Sequence, residues 1–357
     1  MEQKLIFTNL VGTAIDDLVS SMGNPHTVVI SDVNTSNFVM PYLKNDSKVV
    51  ANSTEIVMKA GDSNKSLDEL TIIWKKLISA GATRSSVIIN IGGGVVSDIG
   101  GFAASTFKRG MKFINVPTTL LGAVDASVGG KTGINFNGFK NQLGTFSEPE
   151  AAIISTCYLN TLPQQELLSG YAEMLKHGLL ENDEIFGKLL SYSLVYPLFD
   201  SERLLPMLED SVMVKQKVVL SDPTEKGFRK VLNFGHTIGH AFESFAMAHQ
   251  SPIAHGYAVA WGLIGELVLS HMLLDFPSEK LHKFAQYVKT NYGAFAISCD
   301  DYPSLIEAMR QDKKNESVDK INFTLLHNVG EPEINQTATP EQIGAALDIY
   351  RDLMGLA

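Results

Sequence analysis

Two cysteines in 357 residues, Cys157 and Cys299, are too few for a disulfide framework and have no metal-type spacing. A reducing compartment is expected. Positive charge is also scarce, with 29 Lys and Arg against 39 Asp and Glu and a formal net charge of −10. Nucleic-acid binding depends on neutralising phosphates with cations, so this balance argues against a polyanion partner. A small charged substrate in a local basic pocket stays open. No run approaches the ~18 uninterrupted apolar residues of a membrane span, and the N-terminal "MEQKLIFTNL" lacks the apolar stretch of a secretory signal. A cytoplasmic protein without a membrane or nucleic-acid partner is the expectation. Low-complexity segments and internal repeats are missing too. What is present is ordinary for a globular protein, 45% hydrophobic and 19% charged residues. Single cores stop growing at roughly 250–300 residues, so two domains are expected.

Texture divides the chain. The runs "TVVIS" (27–31), "EIVMKA" (55–60), "SVIINI" (86–91), "KFINV" (112–116) and "AAIIS" (151–155) read as strands alternating with helical stretches. The segment "SLDELTIIWKKLISAG" (66–81) has apolar positions at helical spacing and ends on Gly81, a C-cap residue. Asn-Gly at 137–138 signals a hairpin turn. From "TLPQQE" (161–166) onward, long amphipathic helices follow, over 163–180, 201–220, 234–248, 256–273, 277–291 and a terminal "EQIGAALDIYRDLM". Thr161 reads as the N-cap of the first, with Pro163 in its first turn. One short strand, "INFTLL" (321–326), interrupts them. The expected fold is an α/β N-terminal nucleotide-binding domain over 1–158, then a mostly α-helical C-terminal metal-binding domain over 159–357.

Three motifs carry chemistry. "VDASVGGKTG" (124–133) ends like a phosphate-binding P-loop, but Asp125 stands where the first glycine should be. An acid there repels a triphosphate, so whatever Lys131 holds, its partners must be found elsewhere in the chain. In "SVIINIGGGVVSDIGGFAAS" (86–105), glycines after a strand let backbone approach a pyrophosphate at a helix N-terminus. The dinucleotide fingerprint is imperfect, because Ser97 replaces its third glycine, and a plain tight turn explains the pattern equally. Asp32, ending a strand, can take ribose hydroxyls or cap the next helix. The strongest signal is "NFGHTIGHAFE" (233–243), which puts His236 and His240 one helical turn apart, with His255 following in "SPIAHGYAVAWG". Such a cluster suggests a metal centre, although a histidine pair at this spacing is often only a satisfied helix face, and His249 reads that way. Glu173, on an otherwise apolar helix face in "SGYAEMLKHG", is the candidate carboxylate ligand. Spacing does not say which histidines bind.

Six ordered blocks, "GGGVVSDIGGFAAS", "KRGMKFINVPTTLLGAVDASVGGKTGIN", "GFKNQLGTF", "SGYAEMLKHG", "GFRKVLNFGHTIGHAFE" and "HGYAVAWGL", make the chain similar to the 3-dehydroquinate synthases of the shikimate pathway. The resemblance runs from about Asp32 to Lys314. It implies a homodimeric, NAD- and zinc- or cobalt-dependent carbon–oxygen lyase that converts 3-deoxy-D-arabino-heptulosonate 7-phosphate to 3-dehydroquinate and phosphate. By the resemblance, Glu173, His236 and His255 match the metal ligands and His240 a catalytic histidine beside them. Lys131 matches a lysine for the substrate anion and Asp125 a residue meeting substrate hydroxyls. Lys140, Asn141, Lys176, Lys215, Arg229, Asn233 and Lys313 or Lys314 match the remaining polar pocket, and Arg109 an arginine contributed across the dimer interface. For the cofactor, the pattern maps to Asp32, Asn34, Asp62, Lys65, Gly93, Gly94, Asp98, Thr118, Thr119 and Thr161, with Lys131 and Lys140 shared. Asp62 and Tyr257 depart from the family, which often has Glu at both places.

Taken singly, these residues have blander readings. Lys140, Lys176 and Lys215 read as solvated surface lysines and Asn233, Thr118 and Thr119 as helix caps, while Arg229 can pair with Glu225. The resemblance further implies oxidation of a secondary alcohol by NAD, β-elimination of phosphate, return of the hydride, ring opening and aldol closure. His240 is the expected base. Three other functions compete: another sugar-phosphate cyclase acting on sedoheptulose 7-phosphate or glucose 6-phosphate, a metal-dependent polyol dehydrogenase, and a non-enzymatic binding protein. Arg229, Asn233 and His240 together favour the carboxylate-bearing substrate by family inference.

Overall fold

The βα units expected from the sequence are present, and they begin earlier than the texture indicates. In the computed structural model, which describes residues 3–356 except Gly138, 195–198, 224–226 and 312–320, a strand β1 (Lys4–Phe7) and a helix α1 (Val11–Ser21) precede the first expected strand. Then follow β2 (Thr27–Asp32), three short helices α2 (Val33–Phe38), α3 (Met40–Asp46) and α4 (Lys48–Asn52), β3 (Thr54–Met58), α5 (Leu67–Ser79), β4 (Val87–Gly92), α6 (Gly94–Thr106) and β5 (Lys112–Pro117). An antiparallel hairpin of β6 (Lys131–Phe136) and β7 (Phe139–Phe146) comes next, and β8 (Ala151–Ile154) completes a six-stranded parallel sheet in the order β1-β8-β5-β4-β2-β3. The hairpin turns at Asn137, in the left-handed region at φ +49°.

Both faces of this sheet are covered, which is why its strands read as unbroken apolar runs. Val28, Ile30, Ile56 and Ile88 pack with Leu70, Ile73 and Leu77 of α5 and Val96 and Ile99 of α6. The alternate residues Val29, Val87, Ile89, Ile91 and Ile114 pack with Val11 and Ile15 of α1 and Leu43 of α3 on the other face. Local signals set the helix ends. The Ser66 hydroxyl accepts from the Glu69 amide at 3.3 Å to start α5, and Gly81 beyond its end has φ +69°.

The helical region comprises α7 (Gln164–Glu181), α8 (Asp183–Ser191), α9 (Ser201–Ser221), α10 (His236–Ala248), α11 (His255–Leu274), α12 (Ser278–Tyr292) and α13 (Tyr302–Arg310), then β9 (Ile321–Asn328), β10 (Glu331–Ala338) and α14 (Pro340–Met354). Two compact units result, Met1–Pro163 with Asp200–Val212, and Gln164–Phe199 with Met213–Ala357. Two expectations need correcting, and one helix bears on the question of a membrane. The single strand at 321–326 is one half of an antiparallel pair with β10. Thr161 does not cap α7; it closes a 3₁₀ turn, its hydroxyl donating to Tyr158 O at 2.7 Å. Finally, α11 is long and apolar enough to cross a bilayer, although 72% of its most apolar window is buried inside the protein.

Candidate metal centre and nucleotide loop

Three helices of the second unit meet through contacts that only small residues permit. A Cβ on Gly256 of α11 would lie 1.9 Å from Ser169 O of α7, and one on Gly262 would lie 2.1 Å from Gly235 O, ahead of α10. The backbones therefore pack closely, and each helix contributes one ligand-bearing side chain to a common point. Glu173 comes from α7, His236 from the first position of α10 and His255 from the first position of α11. The Nε2 atoms of His236 and His255 each stand 3.4 Å from Glu173 Oε1.

Glu173 is fully buried, and the nitrogens of Lys176, His236 and His255 surround its carboxylate. Lys176 Nζ, one turn along α7, is ion-paired with it. Burial by itself would raise this carboxyl, but Lys176, His236 and His255 outweigh it and hold Glu173 well below the usual carboxylate range. His255 shows the opposite displacement. Burial alone would lower it, and the Glu173 and Glu243 carboxylates raise it to about 10.

Glu173, His236 and His255 offer ligand atoms that all lie within 4.8 Å of one another. A buried carboxylate between two Nε2 atoms fits a divalent cation. Two histidines and a glutamate also leave coordination positions open, as catalytic zinc sites do. His240 stands beside the group, its ring centroid 5.4 Å from that of His236 and 6.1 Å from that of His255. His249 lies outside it, as expected, its ring tilted against Phe245 at 4.2 Å with Nδ1 2.8 Å from Phe245 O.

Other candidates of this unit are placed less fully. Lys176 and Lys215 are 2% and 6% exposed, so the reading of solvated surface lysines fails for both. Arg229 is buried, with one guanidinium nitrogen donating to Pro223 O at 2.8 Å. It shares a 3₁₀ stretch, Phe228–Asn233, with Asn233, which is not a cap, because Gly235 holds the N-cap position of α10. Lys313, Lys314 and Glu225 lie outside the described residues.

The first unit carries the nucleotide candidates. Strand order changes direction between the neighbouring parallel strands β2 and β4, so a crevice opens at their carboxyl ends, the place where open α/β sheets take ligands. Asp32 ends β2, and Gly93 and Gly94 follow β4. An added Cβ at Gly93 would come within 3.0 Å of the Thr119 methyl. The N-terminus of α6 has no side-chain cap, which leaves amides for an anion. This arrangement fits a dinucleotide. Asp32 Oδ1 also accepts from the Thr35 amide at 2.8 Å, so it caps α2.

Lys65 is 4% exposed; its Nζ pairs with Asp98 and donates to Asn141 Oδ1 at 2.5 Å. Asp62 accepts from Asn135 Nδ2 at 3.1 Å, and Thr119 Oγ1 from the Gly122 amide at 3.0 Å. Thr118 is buried and Asn34 exposed. Asp125 is half-buried on a π-helical turn, Gly122–Ala126. Lys131 and Lys140 are exposed on β6 and β7, and Arg109 is exposed at φ +67° after α6. Thr161 instead lines a cavity of about 520 Å³ with Asn9, Tyr42, Asp46 and Tyr158.

Two carboxylates escape the sequence reading. Glu243 Oε1 is 3.4 Å from His255 Nδ1. Glu266, fully buried on α11, accepts from the Gly235, Thr237 and Ile238 amides at 2.7, 2.9 and 3.1 Å. A charge inside the apolar run "AWGLIGELVLS" is the signal that would have found Glu266, by the argument applied to Glu173.

Comparison with known proteins decides the lineage. Residues 55–169 match the model of the 3-dehydroquinate synthase N-terminal domain and 170–315 that of the C-terminal domain. The chain belongs to the 3-dehydroquinate synthase family. A relative from Parabacteroides distasonis, a 3-dehydroquinate synthase, is 45% identical over 355 residues, 99% of each chain. Two solved structures share the fold. ValA, a 2-epi-5-epi-valiolone synthase from Streptomyces hygroscopicus subsp. jinggangensis with NAD+ and Zn2+ bound, has a TM-score of 0.84 at 24% identity, over 99% of this chain and 97% of its own. A 2-deoxy-scyllo-inosose synthase, complexed with carbaglucose-6-phosphate, NAD+ and Co2+, has a TM-score of 0.81 at 23% identity, over 98% and 96%.

Proposed function

We propose that this chain converts 3-deoxy-D-arabino-heptulosonate 7-phosphate to 3-dehydroquinate and phosphate, in the cytoplasm and as a homodimer, in the shikimate route to aromatic amino acids. Family membership supports the reaction, and the buried Glu173 carboxylate facing two histidine Nε2 atoms is the observation that carries the chemistry. Glu173, His236 and His255 would hold zinc or cobalt. Asp32, Asn34, Asp62, Lys65, Gly93, Gly94, Asp98, Thr118, Thr119 and Thr161 would hold NAD, with Lys131 and Lys140 at its border. When bound, NAD accepts and returns a hydride, while the metal acidifies the hydroxyls that it chelates.

The residues of the chain do the rest. His240, next to both ligand histidines, takes the proton from the alcohol being oxidised, a role suited to imidazole near neutral pH. Lys131, Asn141, Arg229 and one lysine of 313–314 hold the substrate phosphate and carboxylate by charge-assisted bonds. Asp125 orients hydroxyls, and Lys140, Lys176, Lys215 and Asn233 complete the polar contacts. Arg109 is contributed from the second copy. Holding one reactive conformer serves the closing aldol step.

Product NMR tests the reading. Purified protein with substrate, zinc and substoichiometric NAD should form 3-dehydroquinate over many turnovers per NAD. Cyclisation of sedoheptulose 7-phosphate instead would move the substrate assignment to another cyclase, and accumulation of NADH without cyclic product would make the chain a polyol dehydrogenase.

A further inference from the structure

The His255 ring lies between two carboxylates, Nε2 3.4 Å from Glu173 Oε1 and Nδ1 3.4 Å from Glu243 Oε1. Only Nε2 faces the point shared with His236 and Glu173. His236 has the same orientation by other means, with Nε2 toward Glu173 and Nδ1 3.1 Å from Phe234 O. A backbone carbonyl can only accept, so a neutral His236 carries its proton on Nδ1 and keeps the Nε2 lone pair for a ligand. Once Glu173 and Nε2 are engaged by a metal, the Glu243 carboxylate imposes the same choice on His255.

We propose that Glu243 is a positioning residue for His255, holding the ring proton on Nδ1 so that the Nε2 lone pair points at the site of the metal. Metal-bound histidines commonly donate their second ring nitrogen to a carboxylate or carbonyl, which fixes both tautomer and ring angle. Here the two histidines use one partner of each kind. Glu243 lies on α10 one turn beyond His240 and two turns beyond His236, so one helix face carries a ligand, the histidine assigned as base and the orienting carboxylate. Its side chain is 15% exposed and that of His255 31%, so the contact is partly shielded from water.

His240, Glu243 and His255 also form a group whose ligand atoms lie within 4.8 Å. Filling it together with the Glu173 group would require His255 to bridge two ions through both nitrogens, and so to lose both ring protons. One neutral imidazole serves one ion, and that leaves Glu243 the orienting role.

The inference rests on the metal assignment above and not on the substrate. Titrating metal-free protein with Co2+, followed by visible absorption, Glu243→Ala should weaken binding about 10–100-fold while leaving band intensity unchanged. Glu243→Gln, whose amide oxygen still accepts from Nδ1–H, should recover most of that loss, which a merely structural contact would not do selectively. Wild-type affinity in Glu243→Ala would overturn the proposal. So would an altered Co2+ ligand set, which would make Glu243 a ligand. If Glu243→Ala fails to fold, long-range ¹⁵N–¹H NMR of the zinc-loaded wild type decides. A His255 protonated at Nδ1 supports positioning, and one protonated at Nε2 refutes it. Neither readout involves turnover, so a failed product assay and a failed positioning role are separable.

Discussion

Glu173 keeps its charge inside the protein, held by its cationic neighbours. In the metal-free protein the nearest permanent cation is Lys176. Lys176→Met should therefore destabilise that form by about 3–5 kcal/mol in urea unfolding, the cost of stranding a buried charge, and less once zinc is bound. Equal losses in both forms would show that Lys176 contributes packing alone. As a proposed ligand, His255 should make metal binding pH-dependent. With its folded pKa near 10 against an ordinary 6.5, the charged ring contributes stability that is complete below about 6.5 and disappears as pH rises through 10. Metal requires the neutral ring, so zinc affinity should rise about tenfold per pH unit across that window, for one displaced proton. Competition titrations between about pH 6.5 and 8.5 measure this, and a flat profile would mean that His255 is already neutral. Glu173 was legible as a carboxylate needing compensation, whereas the burial of Lys176 was not, because a lone lysine in a sequence reads as solvated.

At the scale of the element, α10 depends on a residue from another helix. Its N-terminal amides, orphaned in any helix, bond to Glu266 of α11, and His236 stands at its first position. Glu266→Gln, which keeps one acceptor oxygen and removes the charge, should cost about 1–3 kcal/mol in urea unfolding of the metal-free protein and weaken zinc uptake with it. An unchanged urea midpoint would show that the cap adds nothing. Elements with strong local signals were legible, α5 from its apolar spacing and Gly81 and the β6–β7 hairpin from Asn137 before a glycine. The strand β10 was not. Pro332 and two register shifts interrupt "EPEINQTA", so it lacks a clean alternation, and only pairing with β9 makes it a strand.

For the whole molecule, the proposed homodimer supplies a test of its own. If Arg109 serves the site of the second copy, Arg109→Ala and His240→Ala proteins, each impaired, should complement when unfolded, mixed and refolded. Half of the dimers are then mixed, each with one intact site, so activity should return to about a quarter of wild type. No recovery would place Arg109 in the site of its own chain. The apolar length of α11 has a comparable explanation at this scale. It packs against α7, α10, α12, α14 and β9, so its hydropathy reflects a position inside the second unit.

The sequence by itself determined the class of the fold and the family, because apolar periodicity, glycines at turns and six ordered blocks are properties of neighbouring residues. It also singled out Glu173, His236, His240 and His255, since carboxylate and imidazole side chains on apolar helices require a purpose. Tertiary structure decided how these side chains are held. The roles of Glu243 and Glu266 depend on contacts between residues distant in the chain, brought together where Gly256 and Gly262 let α11 close on α7 and α10, and the burial of Lys176 and Lys215 is likewise a property of the folded chain. No local pattern records such a contact, because its physical cause is the packing of one helix against another.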